Sequence, residues 1–150
     1  MLAGEIAEPY PVVGVDTSAL VAARLLASQR LPGLVVTDLD GSPKAVLPAS
    51  EVVRFLVPDY VQADPTLAGV IGEDAADRIA SRLGRATVGE LLPLRAVEVP
   101  VLKAEDTVLE LAAVMARLRS PLCAVVDDGT IVGVVTASHL LELMCGDPVP

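Results

Sequence analysis

The stretch Ala124-Val125-Val126-Asp127-Asp128-Gly129-Thr130-Ile131-Val132-Gly133-Val134-Val135-Thr136 decides the fold. Leu122 to Val126 is a short apolar run of small and β-branched residues, which reads as a buried strand. Asp127-Asp128-Gly129 supplies turn residues, and Ile131 to Val135 is a second apolar run, so the two runs form a hairpin. Thr136 to Ser138 then place hydroxyls ahead of Leu140, Leu141, Leu143 and Met144, the pattern of a capped helix. Upstream, Asp106-Thr107 caps another helix, whose buried face is Val108, Leu111, Ala112 and Met115 at i, i+3, i+4 and i+7. The unit reads helix, strand, strand, helix.

The chain contains that unit twice. Asp16-Thr17 recurs as Asp106-Thr107 and Ala22-Ala23 as Ala112-Ala113. Val36 and Asp38 match Val125 and Asp127, and Val46, Ala49 and Ser50 match Val134, Ala137 and Ser138. The spacing shortens slightly past Pro32 and again past Gly41, as two small deletions would make it. Further upstream, Gly4-Glu5-Ile6 echoes Gly89-Glu90-Leu91. In the first copy the pieces are a helix from Ser18 to Ser28, strands from Leu34 to Thr37 and Lys44 to Leu47 around the Asp38 to Pro43 turn, and a helix from Ser50 to Leu56. The expected organisation is repeat one over 1–56, a linker over 57–86 and repeat two over 87–150, the two repeats forming one globular module. Within the linker, Glu73 to Leu83 has an amphipathic face of Ala76, Ile79, Ala80 and Leu83, stopped by Gly84. This helix is free to pack on the repeats, to cover the mouth of a cleft or to serve a partner.

Composition excludes several function classes. A chain of 150 residues, 53% of them hydrophobic, buries a real core. Its net charge of -9 repels phosphate backbones and anionic lipid, so neither nucleic acid nor a membrane surface is an expected partner. Only 2% of residues are aromatic, leaving Tyr10, Phe55 and Tyr60 as the whole supply of flat platforms. No apolar run reaches the roughly 18 residues of a membrane span, and the N-terminus has no basic leader. A soluble, cytoplasmic protein that is not itself membrane-inserted is expected. Two cysteines, Cys123 and Cys145, make neither a disulfide framework nor a zinc site, and Cys123 reads as a small core residue. Asp38 to Gly41 and Asp127 to Gly129 lack the ligand spacing of a calcium loop and read as turns. One histidine with no companion nucleophile gives no catalytic constellation, so no enzyme is expected.

The strand-turn-strand with flanking helices, ending on Gly133-Val134-Val135-Thr136 before the last helix, resembles the CBS domain family. Two copies in register make the likeness specific, and it covers nearly the whole chain outside the linker helix. The resemblance implies a stand-alone tandem pair, or Bateman module. Its fold class would be α/β (α+β), with small sheets and flanking helices in two repeats related by a pseudo-twofold axis. It also implies a homodimer and an unidentified client, a permease or metabolic enzyme, regulated by an adenosine ligand such as AMP, ADP or ATP in the inter-repeat cleft. No cofactor is required. The ligand contacts the resemblance carries over are Gly133, Val134 and Thr136, with His139 where the family keeps a ribose-binding aspartate. In the first copy the motif reads Ala45-Val46-Leu47-Pro48-Ala49-Ser50-Glu51: Pro48 has neither hydroxyl nor N–H for a phosphate, and Glu51 retains a carboxylate. At most one good site per chain is expected. The acidic charge favours a ligand with few phosphates unless Arg95, Lys44 or Arg82 lies beside the cleft. Thr136 as a plain N-cap, His139 as a solvated residue and Glu51 as a first-turn carboxylate are the structural alternatives. A scaffold without ligand, its repeats drifted, is the competing function.

Overall fold

The computed structural model describes residues 1–70 and 74–146. Each repeat begins with a strand too short to leave a periodic signal. In the first, β1 (Val12–Gly14) lies parallel to β2 (Gly33–Thr37), which pairs antiparallel with β3 (Pro43–Pro48). α2 (Ala19–Gln29) connects β1 to β2, and α3 (Ala49–Leu56) follows β3; the short α1 (Ala3–Ile6) precedes them all. After α4 (Asp59–Ala63), a 3-10 turn (Pro65–Val70), α5 (Asp74–Arg85) and α6 (Val88–Leu91), the pattern returns. Strand β4 (Val101–Lys103) is parallel to β5 (Leu122–Asp127), and β5 is antiparallel to β6 (Thr130–Thr136). Helix α7 (Val108–Leu118) connects β4 to β5, and α8 (Ala137–Cys145) follows β6. The result is two three-stranded sheets flanked by helices. The expected helices and hairpins are present, and the leading strands β1 and β4 are added to them.

The repetition extends to irregularities. Both hairpins carry a register shift at the same place, between Val36 and Thr37 and between Val125 and Val126. Both connecting helices end on a left-handed residue, Arg30 and Arg119, each at φ 52°. The helix caps differ: the Thr107 hydroxyl accepts the Glu110 N–H at 3.2 Å, whereas Ser18 makes no side-chain cap bond.

The repeats exchange their leading segments. Ala3 and Ile6 of α1 belong to the core of the second repeat, with Leu102, Leu111, Met115, Cys123, Val125 and Val135. Val88 and Leu91 of α6 belong to the core of the first, with Leu26, Leu34, Val36, Leu47 and Val52. The crossings continue as bridges along the outer strands, Glu8 to Val134 and Ala45 to Glu98, so the segments cover edges that otherwise expose unpaired backbone. A third cluster, Val35, Val46, Val99, Leu122, Ala124 and Val134, joins the two sheets. Cys123 is buried in the core, as its apolar surroundings in the sequence suggested.

Helix α5 packs on the first repeat against α2 and contributes Leu83 to its core. Gly84 does not stop it; the helix runs on to Arg85, because an exposed glycine weakens a helix without breaking it. Ile79 is half-buried, but Ala80 is exposed, so the apolar face is narrower than the sequence pattern suggested. The expected start at Glu73 and the surroundings of Ala76 lie outside the described residues.

Candidate functional site

Thr136 ends β6 and caps α8, its Oγ1 accepting the His139 N–H at 3.1 Å. Three residues back, Gly133 has a steric reason to be glycine. A Cβ there would stand 2.8 Å from the Ala7 Cβ and 3.0 Å from the Glu8 carbonyl oxygen. The segment Ala7–Glu8 lies directly on this strand: Val134 N–H donates to the Glu8 carbonyl at 2.9 Å, and Glu8 N–H donates to the Val134 carbonyl at 3.0 Å. The Glu8 side chain then reaches α8, where Oε1 is 3.0 Å from His139 Nε2. His139 Nδ1 faces the Glu142 carboxylate at 3.8 Å. The imidazole is thus set between two carboxylates.

Where the two hairpins meet at the seam between repeats, a cavity of about 570 Å³ opens. Its walls include Tyr10, Val12, Thr37, Ile131, Gly133 and Val134. The Tyr10 hydroxyl donates to the Gly33 carbonyl at 2.6 Å, and burial pushes its phenol up to about 12. At the mouth, the Ser42 N–H donates to Asp40 Oδ1 at 3.0 Å; bonds from Ser42 hold the Asp40 carboxyl below its ordinary range. No lysine or arginine lines this cavity among the described residues. Thr136 and His139 are not in its wall either; His139 is paired instead with Glu8, the residue before Pro9 of the lining. Sequence reading missed Tyr10, whose only signal was its rarity as an aromatic.

The first copy is built differently. Pro48 occupies the N-cap of α3 and makes no side-chain bond there. Glu51, on the first turn, lines a separate cavity of about 440 Å³ with Arg54, Phe55, Arg82, Leu91 and Leu94. Gly133 and Val134 therefore line the seam cavity, Thr136 and His139 follow them in the chain outside its lining, and Glu51 lines a different cavity. Of the cations considered for the cleft, Lys44 pairs with Asp38 at 3.5 Å, Arg95 is exposed, and Arg82 belongs to the Glu51 cavity. No group of three or more potential metal ligands clusters among the described residues. Nor is any helix among them long and apolar enough to cross a membrane.

Comparison with known proteins agrees with this architecture. The family model of the CBS domain matches residues 88–146. A CBS domain-containing protein of unknown function from Kribbella flavida is 58% identical, with 97% of this chain and 99% of that one aligned at a TM-score of 0.91. The chain belongs to the CBS domain family, as a CBS pair. More distant structures share the fold. CBSX2 in complex with AMP is 20% identical over 96% of each chain, with a TM-score of 0.63. The CBS domain of a bacterial CNNM/CorC family Mg2+ transporter in complex with ATP is 15% identical over 99% of this chain and 89% of that one, with a TM-score of 0.68. No curated protein matches the chain.

Proposed function

We propose that this CBS pair is a non-enzymatic regulatory module that takes an adenosine-containing ligand at the seam between its repeats and passes the occupancy to a client protein. The observation that carries the reading is the seam cavity, whose 570 Å³ is in the size range of small-molecule sites. Its aliphatic and tyrosyl walls suit a flat base, and its exposed backbone and hydroxyls suit the base edge and ribose. The CBSX2 complex with AMP and the transporter-domain complex with ATP support the ligand class. With Asp40 at the mouth and no cation in the lining, a ligand with one phosphate or none fits better than a triphosphate. Thr136 and His139 serve the polar end of the ligand in this reading, His139 exchanging its Glu8 partner for the ligand. Glu51 takes no part in that site.

A second copy covers the outer helices. Val21, Val53, Leu109 and Leu141 are large apolar side chains that stand in solvent on α2, α3, α7 and α8, and a homodimer buries them. The client, a permease or a metabolic enzyme, reads the state of that dimer. Ligand shifts the equilibrium by its differential affinity for the two arrangements.

Thermal unfolding against AMP, ADP, ATP, S-adenosylmethionine and NAD tests the reading, because a ligand that binds only the folded state raises the midpoint. A dose-dependent rise, largest for AMP, is the expected result. Thr136→Ala is expected to diminish the AMP shift; equal binding would remove Thr136 from the site. A flat response to all five compounds favours the scaffold reading. One observation already favours that alternative: His139, at the position where the resemblance expects a ribose contact, is paired with the protein's own Glu8.

A further inference from the structure

We infer that the cavity between α3 and the inserted helix α5 is a second binding site, for a small organic oxyanion, a phosphate or a carboxylate with an apolar body. It lies apart from the seam and does not depend on the reading given for the seam.

Two arginines line it from different parts of the chain, Arg54 from the last turn of α3 and Arg82 from the last turn of α5. A helix C-terminus favours a cation in its last turn, which accounts for each arginine separately. It does not account for their meeting in one cavity. Nor does it account for the second feature: the Arg82 Cζ stands 4.5 Å from the centroid of the Phe55 ring, the only phenylalanine of the protein. Stacking fixes the plane of the guanidinium and leaves its N–H fork at the edge, the geometry that grips two oxygens of an anion at once. Among the described residues, no carboxylate lies within 4.0 Å of either guanidinium, although Glu51 and Asp59 are in the same lining. Neither arginine is thus engaged in an ion pair with Glu51 or Asp59, nor with Asp77, which lines a neighbouring cavity with Arg82.

The walls are preorganised. The Gln62 side-chain amide donates to the carbonyls of Arg54 at 2.9 Å and Val57 at 2.7 Å, tying the end of α3 to α4 and fixing the corner from which Arg54 projects. Opposite, Leu91, Pro93 and Leu94 form an apolar wall, and Leu94 is fully exposed at its rim. A leucine left in water beside a pair of free arginines suits a ligand with an apolar body and an anionic end. The volume of about 440 Å³ admits a small metabolite. Net charge does not forbid it: at physiological salt, charges beyond about 8 Å are largely screened, so two arginines within the cavity outweigh a distributed excess of acids.

The test is amide chemical-shift mapping of the full chain titrated with inorganic phosphate and, separately, with phenyl phosphate and benzoate. Saturable shifts confined to Arg54, Phe55, Arg82 and Leu94, with the aromatic anions binding more tightly than inorganic phosphate, are expected. Preference between phenyl phosphate and benzoate then identifies the anionic group. Arg82→Gln should weaken binding at least tenfold and Phe55→Leu several-fold. Arg117→Gln, on α7 of the other repeat, should leave binding unchanged. Both arginines are exposed, so the variants are expected to fold, and an unaltered unfolding midpoint confirms it. Shifts spread over arginines in general, or equal affinity in Arg82→Gln, overturn the proposal. So does the absence of any shift in the cavity. AMP perturbing only Tyr10, Gly133 and Val134 would leave the two sites distinguishable.

Discussion

At the scale of single residues, the two copies have diverged where their last helices begin. Thr136 caps α8 through its hydroxyl, whereas Pro48 offers α3 only a fixed backbone. Thr136→Ala is expected to cost about 1 kcal/mol in chemical denaturation, the usual worth of a hydroxyl cap. Buried acids that stay neutral give a second expectation. Burial pushes the Cys123 thiol up from 9.0 to about 12, and the Tyr10 phenol from 10.0 to about 12. In the unfolded chain both ionise at lower pH, so between about pH 9 and 12 the unfolded state holds fewer protons than the folded one. Stability must fall as pH rises through that window and be fully present below it. Urea midpoints at pH 8 and pH 10.5 check the sign, and Tyr10→Phe should reduce the difference. The same burial keeps Cys123 unreactive toward thiol reagents in the folded protein at pH 8, while the exposed Cys145 reacts.

At the scale of elements, the inserted helix is held, among its described residues, chiefly by Leu83. Leu83 is 5% exposed and belongs to the core of the first repeat, but Ile79 is only half-buried and Ala80 faces water. Leu83→Ala is expected to destabilise the protein by about 2 to 4 kcal/mol, the cost of losing a buried leucine without full collapse of the space. Hydrogen exchange should show the loss first at α5 and α2. The leading segments matter more than their length suggests. Helix α1 has four residues, yet Ala3 and Ile6 fill the core of the other repeat, and Gly133 leaves space for Ala7.

At the scale of the whole molecule, exchange of the leading segments makes each repeat incomplete without the other. Residues before β1 finish the second core, residues before β4 finish the first, and a shared apolar layer joins the sheets. The protein is therefore expected to unfold in a single transition, with far-ultraviolet circular dichroism and amide signals of both repeats changing together. Deleting residues 2–8 should destabilise the second repeat more than the first, read as faster amide exchange in α7 and β5 than in α2 and β2. Loss confined to the first repeat would contradict the exchange.

The local units and their duplication are legible in the order of the residues. A capped helix, an apolar hairpin and a second capped helix follow from short-range periodicity, and the match of Asp16-Thr17 to Asp106-Thr107 shows that the unit recurs. Strands β1 and β4, three residues each, were not legible, because so short a strand is defined by its neighbour and not by alternation. The echo of Gly4-Glu5-Ile6 in Gly89-Glu90-Leu91 was visible, but not that each copy packs on the opposite repeat. Gly133, Val134, Thr136 and His139 could be picked out by position. Their separation from Glu51, the pairing of His139 with Glu8, and the meeting of Arg54 with Arg82 could not. Helix and hairpin preferences act between residues close in the chain and leave a mark in its order. Which segment crosses to which core, and which side chains then share a cavity, depends on burial between residues far apart in the chain and is set only in the folded molecule.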